Sequence, residues 1–172
     1  PRPMNFTDSK GNNTFDRDAS RSGADWSFME VLRDKWQGNL VIKGLTSAED
    51  AYRVQSLGAD AIYVSNHGAR QLDSVPPAIR LLPLIRDAVG PDFPLLFDSG
   101  IRNGEDVIKA LALGANFVML GRPALFALGA DGADGLHALL KCFETDITAV
   151  MAQLGVSSIS QLGAGAIFDA NE

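Results

Sequence analysis

The chain has 172 residues, 15 Lys and Arg against 21 Asp and Glu, and a net charge of −6. Its 46% hydrophobic and 21% charged content belongs to a folded globular domain rather than a disordered tail. The acidic balance argues against a nucleic-acid binder, the single Cys142 excludes a disulfide framework or a cysteine zinc site, and no apolar run approaches the ~20 residues of a membrane-spanning helix.

Residues 1–24 carry Pro, Gly, Asn, Asp and Ser with no apolar period and read as a loop or lead-in, without the pattern of a secretory leader. From Asp25 the pattern changes. Trp26, Met29, Leu32 and Trp36 recur at helical spacing, with Asp25 or Ser27 as the cap. Residues 39–43 form a short apolar run. Thr46 and Glu49 then make a capping box for a helix that stops at Gly58. A second apolar run covers 60–65. Pro76 and Pro77 open a helix carrying Ile79, Leu82 and Ile85, with Gly90 after it. A third run covers 94–98. Asn103 caps a helix that ends at Gly114. The fourth run, 116–120, leads into Gly121 and Arg122. A last helix over about 133–154 places Leu136, Leu140, Phe143, Ile147, Val150 and Leu154 on one face, and Cys142 is expected to pack in the core.

Short continuous apolar runs bounded by turn signals are what strands of a parallel sheet look like, and the helices between them supply the crossovers. The run ends are separated by 22 residues (Lys43 to Ser65), 33 (Ser65 to Asp98) and 23 (Asp98 to Gly121). A (β/α)8 barrel averages ~31 residues per unit. The chain therefore reads as four β/α units, half of such a barrel. A flavodoxin-like sheet is the alternative, although its first strand would begin nearer the N-terminus.

In a β/α barrel the reactive residues follow the C-terminal ends of the strands. That rule selects Lys43, the segment Ser65 to Arg70, the segment Asp98 to Arg102, and Gly121 with Arg122. His67 is suited to proton abstraction near neutral pH, and Arg70 to holding a carboxylate through two parallel hydrogen bonds. Asp98, Ser99, Gly100, Arg102, Gly121 and Arg122 suggest a phosphate cradle, since Gly lets backbone approach and Arg supplies charge. Lys43 offers a cation to negative charge on a bound ring or enolate. Each feature alone has a bland explanation: a loop His, a surface Arg, an ordinary turn, a strand-end Lys reaching solvent. Their placement at all four run ends favours a site. His137 reads as an exposed helix residue.

VIKGL, VSNHGARQLD, FDSGIRNGEDVIKALALGA and VMLGRP resemble the FMN-dependent L-2-hydroxy acid oxidases and dehydrogenases, which include glycolate oxidase, lactate oxidase, L-lactate dehydrogenase and mandelate dehydrogenase. The resemblance runs from about Trp26 to Leu162. It implies the C-terminal half, strands five to eight, of a (β/α)8 barrel, with 1–24 as a variable loop, 25–162 as the half-barrel and 163–172 as a tail. It also implies roles. Lys43 lies near N1 and O2 of the flavin, Ser65 contacts the ring, His67 is the catalytic base and Arg70 binds the substrate carboxylate. Asp98, Ser99, Gly100 and Arg102 surround the ribityl chain and phosphate, and Gly121 and Arg122 complete the phosphate site. The implied reaction oxidises a lactate, mandelate or glycolate type of acid to the 2-keto acid.

The family's first four strands have no counterpart here. They carry substrate-contacting tyrosines and the aspartate that orients the His. The resemblance thus implies an N-terminal half as partner, a homo-oligomer of four or more copies, and a cytoplasmic protein that is membrane-associated in those members whose loop inserts. A chain alone is expected to be incomplete. The competing readings are a non-catalytic half-barrel that only binds FMN or phosphate, and a different FMN or phosphate-binding barrel enzyme such as an isomerase, which would not need His67 and Arg70 together.

Overall fold

The computed structural model describes residues 25–70 and 72–167, so the expected loop over 1–24 and the second half of the expected tail, 168–172, lie outside the described residues. The chain divides into two compact units, 1–35 and 36–172. The first contains α1 (Trp26–Lys35), capped by Asp25, whose Oδ1 accepts the Phe28 N–H at 2.9 Å. Trp36 follows the helix and is half exposed.

The second unit repeats strand and helix. The order is β1 (Val41–Leu45), α2 (Ala48–Ser56), β2 (Ala61–Val64), α3 (Ala78–Val89), β3 (Leu95–Phe97), α4 (Gly104–Ala112), β4 (Phe117–Val118) and α5 (Arg122–Gln153). Local chemistry sets the boundaries. Ser47, not Thr46, caps α2: its backbone is extended and its Oγ accepts the Asp50 N–H at 3.3 Å. Asn103 caps α4 as expected, accepting the Asp106 N–H at 2.9 Å. The helix after Gly121 begins at Arg122, well before the expected start near 133. It is broken where Asp131 and Gly132 leave helical geometry. The Gly-rich stretch 129–135 hid this first helical segment, because its apolar residues Leu125, Phe126 and Leu128 stay exposed and impose no period.

All strands pair in parallel, in the order β1-β2-β3-β4. A doubly wound sheet of flavodoxin type reverses direction at a switch point. This sheet does not reverse, so each crossover adds a strand on the same side, as a barrel wall requires. One face is packed by helices. Ile62, Val64, Leu95 and Phe97 are fully buried there, together with Val54 of α2, Leu82 and Ile85 of α3 and Ile108 of α4. Burying each such side chain contributes about 1.5–3 kcal/mol, so this face holds the unit together. The other face carries the cross-strand row Lys43, Tyr63, Leu96 and Phe117, with Val41 one pleat away. It stays open: Val41 is 44% and Phe117 59% exposed. The expectation that Cys142 packs in the core is wrong. It is exposed, and of the apolar stripe on that helix only Phe143 is buried.

Candidate functional site

The C-terminal strand ends meet around a cleft of about 220 Å³. Lys43, His67, Arg70, Asp98, Ser99, Gly100, Arg102, Gly121 and Arg122 all line it. Ser65, the remaining expected residue, does not. It is fully buried beneath the cleft, where it accepts from Lys43 Nζ at 2.9 Å and donates to Asp98 Oδ1.

Backbone shape brings these groups together. β1 carries a register shift between Lys43 and Leu45, and Gly44 within it has φ +93°. A Cβ at Gly44 would lie 2.6 Å from His67 Cε1, so the imidazole rests directly over this glycine. After β2 the chain makes a 3-10 turn, His67–Ala69, in which His67 (φ 55°), Gly68 (φ 64°) and Ala69 (φ 58°) are all left-handed. Ser99 (φ 82°) repeats this after β3. Non-glycine residues in this region cost energy and persist only where their surroundings fix them. Side chains do the fixing here. Ser65 Oγ accepts the His67 N–H at 3.1 Å, and Asn66 Oδ1 and Ser99 Oγ accept the Gly68 N–H at 3.0 and 3.3 Å.

Asp98 is the hub. Its Oδ2 accepts from Lys43 Nζ and from Tyr63 Oη, each at 2.9 Å, and its Oδ1 accepts from Ser99 Oγ at 2.7 Å as well as from Ser65. Burial would raise its carboxyl pKa. The donors Ser65, Lys43, Ser99 and Tyr63 outweigh that, and the group is held below the usual carboxylate value. Tyr63 was not singled out from sequence, because it sits inside an apolar run. The signal was its place two residues before Ser65, on the same face of the strand. Gly44 was likewise missed.

Among the described residues the one carboxylate lining the cleft is thus spent within the protein, while Arg70, Arg102 and Arg122 also line it. Arg122 reaches the turn after β2, its Nη2 lying 3.2 Å from the Cβ position of Gly68. Backbone N–H groups at the start of α5 add to the same positive field. Three guanidiniums and a helix start suit a phosphate and a carboxylate, which is the donor set an anionic nucleotide cofactor and an acid substrate require. Among the described residues no acidic side chain pairs with His67.

Fold and site together define half of a β/α barrel with a cleft lined by Lys43, Arg70, Arg102 and Arg122 at its strand ends. The chain matches the FMN-dependent dehydrogenase family over residues 3–169, and it belongs to that family. It is 47% identical over 145 residues to an L-lactate dehydrogenase of Pseudomonas syringae pv. syringae, a match spanning 84% of this chain and 38% of that protein. A Chromohalobacter salexigens L-lactate dehydrogenase is 44% identical, with 83% of this chain and 36% of that protein covered. Among solved structures, a soluble mutant of the membrane-associated (S)-mandelate dehydrogenase of Pseudomonas putida superposes with a TM-score of 0.81 at 41% identity, covering 86% of this chain and 43% of that one. The monotopic membrane protein (S)-mandelate dehydrogenase gives a TM-score of 0.84 at 37% identity, over 94% of this chain and 44% of that one. The four units are the C-terminal half of a (β/α)8 barrel, and the chain spans well under half the length of these relatives. No helix among the described residues is long and apolar enough to cross a membrane.

Proposed function

We propose that this chain, completed by an N-terminal half-barrel, oxidises an L-2-hydroxy acid of the lactate, mandelate or glycolate type to the 2-keto acid, with FMN as the electron acceptor. The observation that carries the reading is the convergence of His67, Arg70 and Lys43 on one cleft whose other cations are Arg102 and Arg122. FMN, when bound, would supply a two-electron sink. Arg102, Arg122, Gly121 and the start of α5 would hold its phosphate, and Ser99 and Gly100 would give its chain room. Lys43 offers a positive charge to the ring, and Ser65 acts through Lys43. Arg70 binds the substrate carboxylate and fixes the α-carbon, while the His67 imidazole, seated over Gly44, receives the proton that the substrate gives up.

The missing half supports the same reading. The open face, with Val41 and Phe117 exposed, is the inner wall of a barrel that four further strands would close. His67 has no carboxylate partner among the described residues, so the chain alone is expected to be inactive, and the preceding half supplies that partner. Assembly into a homo-oligomer and a cytoplasmic location, at a membrane surface if residues 1–24 form the inserting segment, complete the proposal. The mandelate dehydrogenases matched above include a membrane-associated and a monotopic protein.

The test is the visible spectrum of the protein joined to its N-terminal half, before and after anaerobic addition of a panel of L-2-hydroxy acids. Bleaching of a flavin band by one acid is the expected result and names the substrate. A flavin band that no acid bleaches rejects this reading and leaves the non-catalytic FMN-binding half-barrel and the isomerase-like barrel. Arg70→Met should lower kcat/KM about 100-fold through both a higher KM and a lower kcat, because a bidentate clamp on the carboxylate is lost. Near-normal turnover in that variant would point instead to an isomerase-like barrel that binds no acid there.

A further inference from the structure

We propose that Tyr63 is a positioning residue of this site: it fills the last acceptor position on Asp98, lies against the Lys43 ammonium, and so keeps the free donor of Lys43 directed into the cleft. The proposal rests on the reading that FMN occupies the cleft.

The arithmetic of donors and acceptors carries it. A carboxylate offers about four lone-pair positions. In Asp98 the Oδ1 positions go to Ser65 and Ser99, and the Oδ2 positions to Lys43 and Tyr63. The carboxylate is saturated from within the chain and has no position left for a ligand hydroxyl. An ammonium has three donors. Lys43 gives one to Ser65 Oγ and one to Asp98 Oδ2, each at 2.9 Å, and the third remains for the cleft it lines. The Tyr63 ring supports that arrangement, its centroid 4.0 Å from Nζ. The tyrosine pairs with Lys43 across β1 and β2, and its hydroxyl crosses to the residue that follows β3. One side chain thus ties three strand ends to the cation.

Removal of the hydroxyl leaves an empty position on Oδ2. The neighbouring ammonium can turn a second donor onto it, which tightens the ion pair and draws positive charge out of the cleft. Burial, then the bond to and charge of Asp98, push the Tyr63 hydroxyl well above the usual tyrosine range, in keeping with a phenol fixed on a carboxylate.

Two measurements decide the proposal. In the FMN-loaded complete barrel, Tyr63→Phe keeps the ring and loses the hydroxyl. Its preference for reduced over oxidised FMN is expected to fall about tenfold, read as a lower midpoint potential of the bound flavin. Tyr63→Leu loses ring and hydroxyl and is expected to fall further. A Tyr63→Phe protein with the wild-type potential overturns the proposal whether or not the Leu variant folds. In the 172-residue chain itself the only tyrosines are Tyr52 and Tyr63. With Tyr52→Phe the one tyrosine left is Tyr63, which should ionise only well above the usual tyrosine range, and Asp98→Asn should bring that step down. Ionisation of Tyr63 within the usual tyrosine range also overturns the proposal. A wild type that holds no FMN, while Tyr63 still ionises late, overturns the cofactor assignment and with it the role of the tyrosine, but not the bond to Asp98.

Discussion

The two ends of the sheet treat arginine differently. Before β3 and β4, Arg86 spends all its donors inside the protein: Nε and Nη2 on Gly114 O at 3.0 and 2.7 Å, Nη2 also on Asn116 Oδ1 at 2.8 Å, and Nη1 on Gly90 O at 2.6 Å, Pro91 O at 3.1 Å and Phe93 O at 2.8 Å. Burial pulls its pKa down against the charge of Asp92, yet it stays a guanidinium because its bonds need every N–H. After the strands, Arg70 and Arg122 have no hydrogen-bond acceptor among the described residues and face a cleft. A spent arginine holds loops together. An unspent one, beside a turn held in left-handed geometry, is placed for something outside the chain.

The largest expected effect tests that contrast directly. Arg86→Met should destabilise the chain by about 3 kcal/mol, because it leaves the carbonyls of Gly90, Phe93 and Gly114 without their donor. Arg122→Met should change stability by less than about 0.5 kcal/mol while weakening the hold on FMN or inorganic phosphate about tenfold. Urea unfolding of the two variants and titration with both ligands supply the numbers. Equal losses of stability would abolish the distinction between the two ends.

A smaller effect sharpens it at one residue. Gly44 is a bulge glycine at φ +93° whose missing Cβ makes room for His67. Gly44→Ala should cost about 1–2 kcal/mol, part from the left-handed backbone and part from the clash. The loss of turnover in the complete barrel should exceed what that destabilisation explains, since the imidazole must leave its seat. Comparing thermal unfolding with kcat separates the two parts. Unchanged kcat would mean that His67 does not need this position.

These residues also show how far the sequence could be read. Lys43, His67, Arg70, Asp98, Arg102 and Arg122 were legible because an apolar run followed by a charged residue has a meaning in a β/α barrel. The parallel sheet was legible for the same reason. Arg86 and Tyr63 were not. The first sits in an amphipathic helix and the second in a buried-looking strand, and nothing local tells a side chain that will meet a carboxylate 35 residues away from one that will meet solvent. Gly44 looked like one strand residue among others, since its requirement comes from His67, 23 positions on. The limits of β2, β3 and β4 also shifted inward, β4 to two residues rather than five, and β1 moved two residues towards the C-terminus.

The smallest expected effect concerns Asp98, where the two ends of the sheet differ in their response to acid. Its folded pKa lies below the ordinary 3.8, so the folded state binds its proton more weakly than the unfolded chain does. The stability it contributes is therefore complete above pH 3.8 and is lost as pH falls through the depressed value. Asp25 and Glu144 are depressed as well, but both are fully exposed, so the informative quantity is a difference between two proteins. Asp98→Asn should be less stable than the wild type near neutral pH, and the gap should narrow as the pH falls below 3.8. Arg86→Met offers the contrast, because arginine does not titrate in this range and its deficit should stay constant over the same interval. A gap for Asp98→Asn that is independent of pH would mean that the carboxylate's charge does no work in the fold. The hub of the cleft would then be held by shape alone, and Lys43 would be free of it.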